Sequence, residues 1–545
     1  MYSREEVLKA SLEYFNGDEL AANVFFKYCL QDNNGNYLEL TPDDMHLRLA
    51  KEFARIEKKF GGENQLSEDT IYEYLKNFKN ICAQGSPMAG IGNNYQNVSL
   101  SNCFVKGTKV LTNNDGVKNI EDVQIGDIVV THNGNIKNVT QLHKNKLNGR
   151  KIYNIKVHKS PEIKVTENHR FLSLSREQQK WNLKPQWNPI SYLRKGDWIA
   201  IPKVNDNNLL SNMIVDSNDY FDIKIKDSIW YETNITDKKV TLTTKWKTHL
   251  KNGTVKVCSK AHNSINRFWK LDEEFAFFIG LWYGDGCVFS QNKNSVRLKG
   301  LTFTFNSNEK ELVEFVTKKG FEIFGIKADV NTNNVTKDST IQVVFSSAYV
   351  ARCFKGMFGR SFDKKVFFNE FLKLNKNFAI KLLAGLISSD GTVTKEGECR
   401  IVLNNVGLVR SFYHYFRMYG IDVGFSILSN NKSARLNLPN GSLLLKYVTK
   451  VYKDNRIEIA KNKKYNFSVN KGHVSYRPYI LEIDGRYFMQ IIDKQLCNDS
   501  HKFVYTLGVK DDHSYSVEGL ICENCFVINQ PNDTMSEIFD TGRDL

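Results

Sequence analysis

The pattern of hydrophobic and polar positions in the first hundred residues is typical of helices. The run TPDDMHLRLAKEFARIEKKF spaces its apolar side chains at helical intervals after a proline and two acidic residues. This spacing predicts an amphipathic helix with Met45, Leu49, Phe53 and Ile56 on one face. The run LSEDTIYEYLKNFKN repeats the design. Residues 1–102 are therefore predicted to be a mainly helical segment.

From Cys103 the pattern changes to short alternating runs that turn signals separate. The runs IGDIVVTHNG, IYNIKVHK and EIKVTENHRFLSL predict strands, and alternation returns in FVYTLGVKDDHSYSVEGLICEN. An all-β module is thus predicted from residues 103–200 together with 495–524. Residues 201–264 are polar and rich in asparagine. Two interpretations stay open for them: a linker or a DNA-recognition insert.

Two similar apolar runs lie within residues 265–480. FAFFIGLWYGDGCV is matched 105 residues later by FAIKLLAGLISSDGTV, and mixed strands and helices follow each run. The small residues Gly280 and Gly284, like Gly385 and Ser389, are four positions apart on a helix. Small residues at this spacing let two helix backbones approach closely. An internally duplicated α+β region of two lobes is therefore predicted.

Charge divides the chain in the same way. Residues 103–524 hold 64 basic and 41 acidic side chains, a net charge of +23, whereas the flanks together carry −8. The middle of the chain would therefore attract a polyanion such as DNA. The 10 cysteines are scattered without the even spacing of a disulfide framework, which argues against a disulfide scaffold or a zinc site. We expect a cytoplasmic protein without a membrane helix or signal peptide, because no apolar run is long enough.

Six residues at the ends and turns of the β module form a candidate catalytic set. They are Cys103, Thr166, His169, His513, Asn524 and Cys525. The segments around them, CFVKGTKVL, TENH, VYTLGVKDDHSYSVEGL and ICENC, resemble the splicing blocks of inteins. The resemblance implies a Hint fold whose first and last strands meet.

The residue types at the first junction support this chemistry. The thiol of Cys103 can attack the carbonyl of Asn102 and convert the peptide bond to a thioester. Amide nitrogen is a poor leaving group and must be protonated, for which the resemblance implies His169 with Thr166. Each step is intramolecular, so splicing needs no cofactor.

The last junction would complete the reaction. Cys525 attacks the thioester, and the carboxamide of Asn524 closes on its own carbonyl, which releases the insert. His513 is the candidate assistant of this step. Two residues depart from the family pattern: Glu523 stands where a histidine is usual, and Thr506 where an aspartate is usual.

The duplicated motifs FIGLWYGDG and LAGLISSDG resemble those of LAGLIDADG homing endonucleases of the DOD type. Asp285 and Asp390 end the two predicted helices, where adjacent carboxylates favour a cation between them. Mg²⁺ bound by both aspartates would suit phosphodiester hydrolysis of double-stranded DNA. The resemblance also implies a basic residue upstream, for which Lys365 is preferred to Lys364. Retained cleavage and a decayed enzyme that only binds DNA both stay open.

Joining residues 1–102 to 525–545 gives 123 residues that read PMAGIGNNYQNVSLSNCFVINQPNDT across the seam. They resemble the N-terminal part of an adenosylcobalamin-dependent ribonucleotide reductase large chain. The resemblance implies a redox role for Cys525 after splicing. Adenosylcobalamin is expected only in a complete reductase, whose remaining part is a possible partner. The resemblance also makes the reductase gene without the insert the expected DNA target.

Two rival functions come from other classes. One is a non-catalytic DNA-binding regulator with the LAGLIDADG fold, and the other is autoprocessing by cleavage alone, as in hedgehog-type domains. The first does not explain why Cys103, Asn524 and Cys525 stand at the boundaries of the segment, and the second does not need Asn-Cys at the C-terminal edge.

Overall fold

The structure is a computed structural model of the 545-residue chain. It describes residues 2–26, 28–31, 36–60, 65–81, 91–92, 103–112, 116–147, 150–176, 178, 184–221, 229–250, 253–290, 297–333, 340–361, 364–393, 399–421, 423–438, 480–499 and 501–524. The chain divides into two compact units, one of residues 1–101 with 527–545 and one of residues 102–526. Asn102 and Cys525 lie outside the described residues.

The first unit is helical where it is described, as predicted. Its helices are α1 (Arg4–Tyr14), α2 (Glu19–Phe26), α3 (Pro42–Phe60) and α4 (Glu68–Leu75). Met45 and Leu49 of α3 are fully buried, but Phe53 is 38% exposed. The predicted apolar face is therefore wrong at Phe53, and Ala50 and Ala54 lie in the core instead. No helix in the described ranges is long and apolar enough to cross a membrane.

The first part of the β module contains ten strands. They are β1 (Phe104–Val105), β2 (Lys109–Thr112), β3 (Gly116–Asn119), β4 (Ile128–Val130), β5 (Ile136–Lys146), β6 (Ile152–Val157), β7 (Glu162–Thr166), β8 (Arg170–Leu174), β9 (Gln186–Pro189) and β10 (Trp198–Ile201). Ile155 and Val157 of β6 and Ile163 and Val165 of β7 are buried at alternate positions, as the sequence pattern predicts.

The segment between the module and the lobes folds into two sheets, one of β11 and β16 and one of β12–β15. Its strands are β11 (Met213–Asp216), β12 (Ile229–Ile235), β13 (Lys239–His249), β14 (Val255–Ala261), β15 (Ile265–Asn266) and β16 (Phe268–Leu271). Strand β13 pairs with β12, β14 and β15, so the predicted boundary at residue 265 divides a sheet. Val240 and Leu242 are buried in the core that the lobes share. The linker interpretation is therefore wrong.

The two lobes repeat one topology. Lobe 1 contains α5 (Glu273–Asp285), β17 (Gly286–Ser290), β18 (Leu298–Asn306), α6 (Lys310–Phe324), β19 (Asp329–Asn333), β20 (Thr340–Phe345) and α7 (Ala348–Phe358). Lobe 2 contains α8 (Lys376–Asp390), β21 (Gly391–Val393), β22 (Cys399–Leu403), α9 (Val406–Met418), β23 (Gly424–Ile427) and β24 (Ala434–Leu438). Both sheets have the order first, second, fourth, third strand. The predicted duplication is thus confirmed at the level of topology.

The chain then returns to the β module. The last strands are β25 (Ile480–Ile483), β26 (Arg486–Cys497), β27 (Phe503–Val509), β28 (Ser514–Val517) and β29 (Leu520–Glu523). Strand β26 pairs with β6 and β10, so the module resumes by Ile480 and not at the predicted residue 495. All these strands join β1–β10 in one 15-stranded sheet. Strand β1 pairs with β27 and β29 pairs with β8, so strands from the first and last parts of the module pair with each other.

Candidate functional site

Cys103 lies at the start of the module, between two strands that come from distant parts of the chain. The next residue, Phe104, pairs with Val165 of β7 and Tyr505 of β27. The N–H of Cys103 donates to Thr166 Oγ1 at 3.1 Å. The N–H and hydroxyl of Thr166 donate to the carbonyl of Cys103 at 3.0 and 3.1 Å. Thr166 therefore binds the nitrogen that splicing would release.

The sulfur of Cys103 has two polar neighbours that sequence reasoning missed. Asn145 Nδ2 donates to it at 3.5 Å, and Arg150 Nη1 lies 4.0 Å away. Both residues come from a polar segment, KNKLNGRK, that carries no motif. Their contacts can orient the thiol, which is fully buried.

His169 closes the turn that Thr166 opens. Its N–H donates to the carbonyl of Thr166 at 3.0 Å, and its side chain is fully buried. The imidazole centroid lies 4.2 Å from that of the Phe104 ring and 5.4 Å from that of Phe171. The predicted pair thus lies beside the residue that follows Cys103.

The last junction reaches the same turn from the other side. Cys522 of β29 pairs with Phe171 of β8, and continuing this antiparallel register sets Asn524 opposite His169. Both ends of the insert therefore converge on residues 166–169.

The carboxamide of Asn524 is held in a buried position. Its side chain is 5% exposed, and its Nδ2 donates to the carbonyl of Val509 at 3.3 Å. Its Oδ1 has no hydrogen-bond partner among the residues that the structure describes. The N–H of Asn524 donates to the carbonyl of His513 at 2.9 Å, so the backbone of His513 holds this junction.

The two departures from the family pattern have defined surroundings. Burial raises the pKa of the Glu523 carboxyl, while Arg170 and His513 oppose that increase. The nearest Arg170 nitrogen lies 3.7 Å from Glu523 Oε2. Thr506 is buried, and its hydroxyl lies 3.1 Å from that of Tyr515. Glu523 is therefore part of the C-terminal junction, whereas Thr506 bonds a neighbouring tyrosine.

A second candidate site lies where helices α5 and α8 pack together. A methyl group at Gly280 would lie 2.4 Å from the Leu382 carbonyl oxygen and 2.7 Å from Gly385 Cα. A methyl group at Gly284 would lie 2.1 Å from Ser389 Oγ. These distances are too short for any side chain, which confirms the predicted packing of backbone against backbone.

This packing brings Asp285 and Asp390 to one end of the helix pair. Asp390 Oδ2 lies 3.2 Å from where a methyl group of Gly284 would be, so its carboxylate lies against the end of the other helix. Both aspartates are half-buried.

Lys365 lies at the same end, whereas Lys364 is exposed. Its Nζ donates to the carbonyls of Trp282 and Tyr283 at 2.8 and 2.9 Å, and lies 3.3 Å from that of Gly284. Burial lowers the pKa of Lys365 to about 8, while Asp390, Cys287 and Asp285 oppose the decrease. The structure thus brings Lys365 and both aspartates together.

The donor set fits a divalent cation of the Mg²⁺ kind. Within the described ranges, no three histidine, cysteine, aspartate or glutamate side chains gather as a protein-only cage. Mg²⁺ is commonly bound by one or two carboxylates and completes its shell with water and phosphate oxygens. Asp285 and Asp390 could hold it in this way and leave positions for DNA.

The lobe 2 sheet has a polar face opposite its helices. Ile401 and Leu436 are buried against the core, while the alternating Arg400, Arg435 and Asn437 are half-buried on the other face. Arg400 pairs with Asn437 across β22 and β24. Two arginines on adjacent strands suit contacts with phosphates and base edges.

A family model described as intein splicing domain matches residues 98–524. Among curated proteins, the chain is 24% identical over 518 residues to the uncharacterized protein MJ0043 of Methanocaldococcus jannaschii, covering 87% of this chain and 57% of that protein. It is 25% identical over 465 residues to the ATP-dependent DNA helicase Hel308 of Thermococcus kodakarensis, covering 79% and 36%. The chain thus spans about a third to somewhat over half of the length of these relatives.

Solved structures align with parts of the chain. The homing endonuclease I-DmoI in complex with DNA and calcium is 16% identical, with a TM-score of 0.24, and the alignment covers 35% of this chain and 87% of that one. The gp41-1 intein is 25% identical, with a TM-score of 0.15, and the alignment covers 18% and 69%.

Proposed function

Because the chain belongs to the intein splicing domain family, we propose that it is a precursor that excises residues 103–524 and joins Asn102 to Cys525. The convergence of Cys103 and Asn524 on the turn of residues 166–169 carries this proposal. Splicing requires the two junctions to lie close together, and the pairing of β1 with β7 and of β29 with β8 brings them there.

The first step is an N-to-S acyl shift at Cys103. Its sulfur attacks the carbonyl carbon of Asn102, a C–S bond forms, and the C–N bond breaks as the nitrogen takes a proton. Thr166 Oγ1 accepts from this nitrogen at 3.1 Å and so fixes the scissile amide. His169 is the proton donor in this proposal.

The remaining steps join the flanks. The thiol of Cys525 takes the acyl group from Cys103, so residues 1–102 become attached to its side chain. Asn524 Nδ2 then attacks its own carbonyl carbon, a cyclic imide forms, and the bond to the Cys525 nitrogen breaks as that nitrogen gains a proton. An S-to-N shift restores the peptide bond.

The Glu523→His variant tests how the C-terminal junction works without the usual histidine. We expect C-terminal cleavage to become severalfold faster, because imidazole donates a proton to the leaving nitrogen near neutral pH and a carboxylate does not. His513→Ala should slow the same step. Cleavage is followed on denaturing gels in a Cys103→Ala background, and unchanged rates in both variants would contradict this division of roles.

The lobes support a second activity, cleavage of double-stranded DNA that depends on a divalent metal. Mg²⁺ held by Asp285 and Asp390 would supply a Lewis acid and an activated water. Lys365 neutralises the carbonyl end of α5, where both carboxylates lie. Arg400 and Arg435 would bind the DNA backbone or base edges. The second candidate is a decayed enzyme that binds DNA without cutting it.

The flanks are proposed to be a ribonucleotide reductase segment of the adenosylcobalamin-dependent type. This rests on the seam SLSN-CFVINQ and its flanking sequence. The uninterrupted reductase gene at this seam would then be the DNA target, because insertion splits the site and protects the carrier.

Intact mass of the expressed protein tests the splicing proposal. Splicing yields separate species of 422 and 123 residues, with the larger one ending in a cyclic imide. Only full-length chain after prolonged incubation would overturn it. Two unjoined flanks beside the excised insert would favour autoprocessing by cleavage alone.

A further inference from the structure

The turn of the β28–β29 hairpin has an unusual residue for its conformation. Glu518 and Gly519 form a two-residue loop, and both have positive φ, +46° and +75°. Loops of this kind favour Asn-Gly or Asp-Gly, since a residue with a longer side chain is strained at positive φ. The glutamate side chain is one methylene longer than that of aspartate. We therefore attribute its presence at this position to the contacts that its carboxylate makes.

Those contacts come from helix α9 of lobe 2. Arg410 Nη1 donates to both carboxylate oxygens of Glu518, at 2.7 and 2.8 Å, and the two side chains are 13% and 5% exposed. The Tyr413 hydroxyl donates to the carbonyl of Glu518 at 3.4 Å. His414 Nε2 is 3.7 Å from the carboxylate, and burial lowers the pKa of His414, so Arg410 is the cation of this cluster. Lys109 N–H also donates to Glu518 Oε1, at 3.2 Å.

The rest of α9 is attached to the β module too. Arg417 is fully buried, donates to Ser160 Oγ at 2.6 Å and contacts Met489 of β26. At the end of the helix, the Met418 carbonyl accepts from Val204 N–H at 2.8 Å. Helix α9 therefore packs against the β module as well as forming part of lobe 2.

The last splice junction lies at the open end of the β28–β29 hairpin, opposite the turn that Arg410 binds. The strands of the hairpin have four residues each, so the turn lies about 17 Å from Asn524. The Asn524 N–H bond to His513 closes that end. We propose that Arg410 is a positioning residue for Asn524 cyclisation, so that lobe 2 contributes to the C-terminal step of splicing. This inference rests on the proposed splicing function.

Arg410→Ala tests the proposal, because it leaves the Glu518 carboxylate buried without its cation. We expect C-terminal cleavage, measured with Cys103→Ala, to slow by about tenfold or more. Thioester formation at Cys103, measured by dithiothreitol-induced cleavage with Asn524→Ala, should stay within about twofold, because the described contacts of Cys103 are with Thr166, Asn145 and Arg150 and not with the turn of Glu518. The double variant Arg410→Met/Glu518→Asn should recover most of the C-terminal rate, since it removes both charges and asparagine fits the turn.

Arg267→Ala is the matched control. It removes an arginine–carboxylate pair of similar geometry, with 2.7 Å between Arg267 Nη2 and Asp216 Oδ2, that does not contact the hairpin. Arg267→Ala should change neither the rate of C-terminal cleavage nor the rate of thioester formation. Equal losses at both junctions, or an unchanged C-terminal rate in Arg410→Ala, would overturn the positioning role. If Arg410→Ala does not fold, Arg410→Lys decides: a rate about threefold lower supports the role of the two-bond geometry, and the wild-type rate overturns it. A wild-type chain that never splices would refute the proposed function itself.

Discussion

Cys103→Ala is expected to abolish ligation completely while cleavage after Asn524 continues. The methyl group of alanine cannot attack the preceding carbonyl, so no thioester forms. Cys525 then has no acyl group to accept. The Asn524 carboxamide attacks its own carbonyl and needs no thioester. Mass spectrometry should therefore find the 21-residue C-terminal flank released and residues 1–102 still attached to the insert.

Asn524→Ala gives the complementary result. It removes the cyclising amide, so thioester or branched species should accumulate and release residues 1–102 when dithiothreitol is added. Cys258→Ala serves as the control, because this half-buried cysteine of β14 lies outside the junctions. Normal ligated product from both Cys103→Ala and Asn524→Ala would sink the proposed mechanism.

Asp285→Asn and Asp390→Asn are each expected to abolish DNA cutting without reducing splicing. Each substitution keeps the side-chain volume but removes one of two negative charges that would hold Mg²⁺. Neither aspartate belongs to the proposed splicing residues or to the contact of Arg410 with Glu518. The assay incubates the protein with Mg²⁺ and two plasmids, one with the continuous reductase seam and one with the interrupted gene, and only the first should be cut.

Asp484→Asn is the control for charge loss, since this exposed turn residue lies in the β module. DNA binding should persist in all three variants and weaken steeply with salt, because arginine and lysine displace phosphate counterions. EDTA should stop cutting by the wild type. Equal cutting of both plasmids would contradict homing specificity, and binding without cutting by the wild type would favour the decayed enzyme.

Local sequence rules predicted the residues that act on their own neighbours in the chain. Cys103 and Asn524 are proposed to react with adjacent carbonyls, and Gly280 and Gly385 act through their lack of a side chain, so these predictions follow from residue type and position. The predicted burial of Phe53 is wrong. Helical spacing indicates how wide an apolar face is, but it does not indicate which edge of that face the neighbouring helices cover.

Contacts between distant elements could not be predicted in this way. Asn145 reaches Cys103 because β5 pairs with β27, which also pairs with β1, and no spacing rule links Asn145 or Arg150 to Cys103. The pairing of Glu518 with Arg410 depends on where α9 docks. The second part of the module was predicted to start too late, at residue 495, because the pattern of β26 resembles that of the polar segment before it. Only the pairing of β26 with β6 and β10 identifies it as part of the module.

Strand β1 has a consequence for the fate of the insert. Its partners, β7 and β27, both belong to the segment that splicing excises. Among the described residues, every strand of the sheet lies within the excised segment, so excision leaves their pairing intact, and the Cys103 nitrogen keeps Thr166 beside it. The liberated insert should thus leave its host already folded, and its lifetime as a free nuclease would be set by its own stability and not by that of the protein it once interrupted.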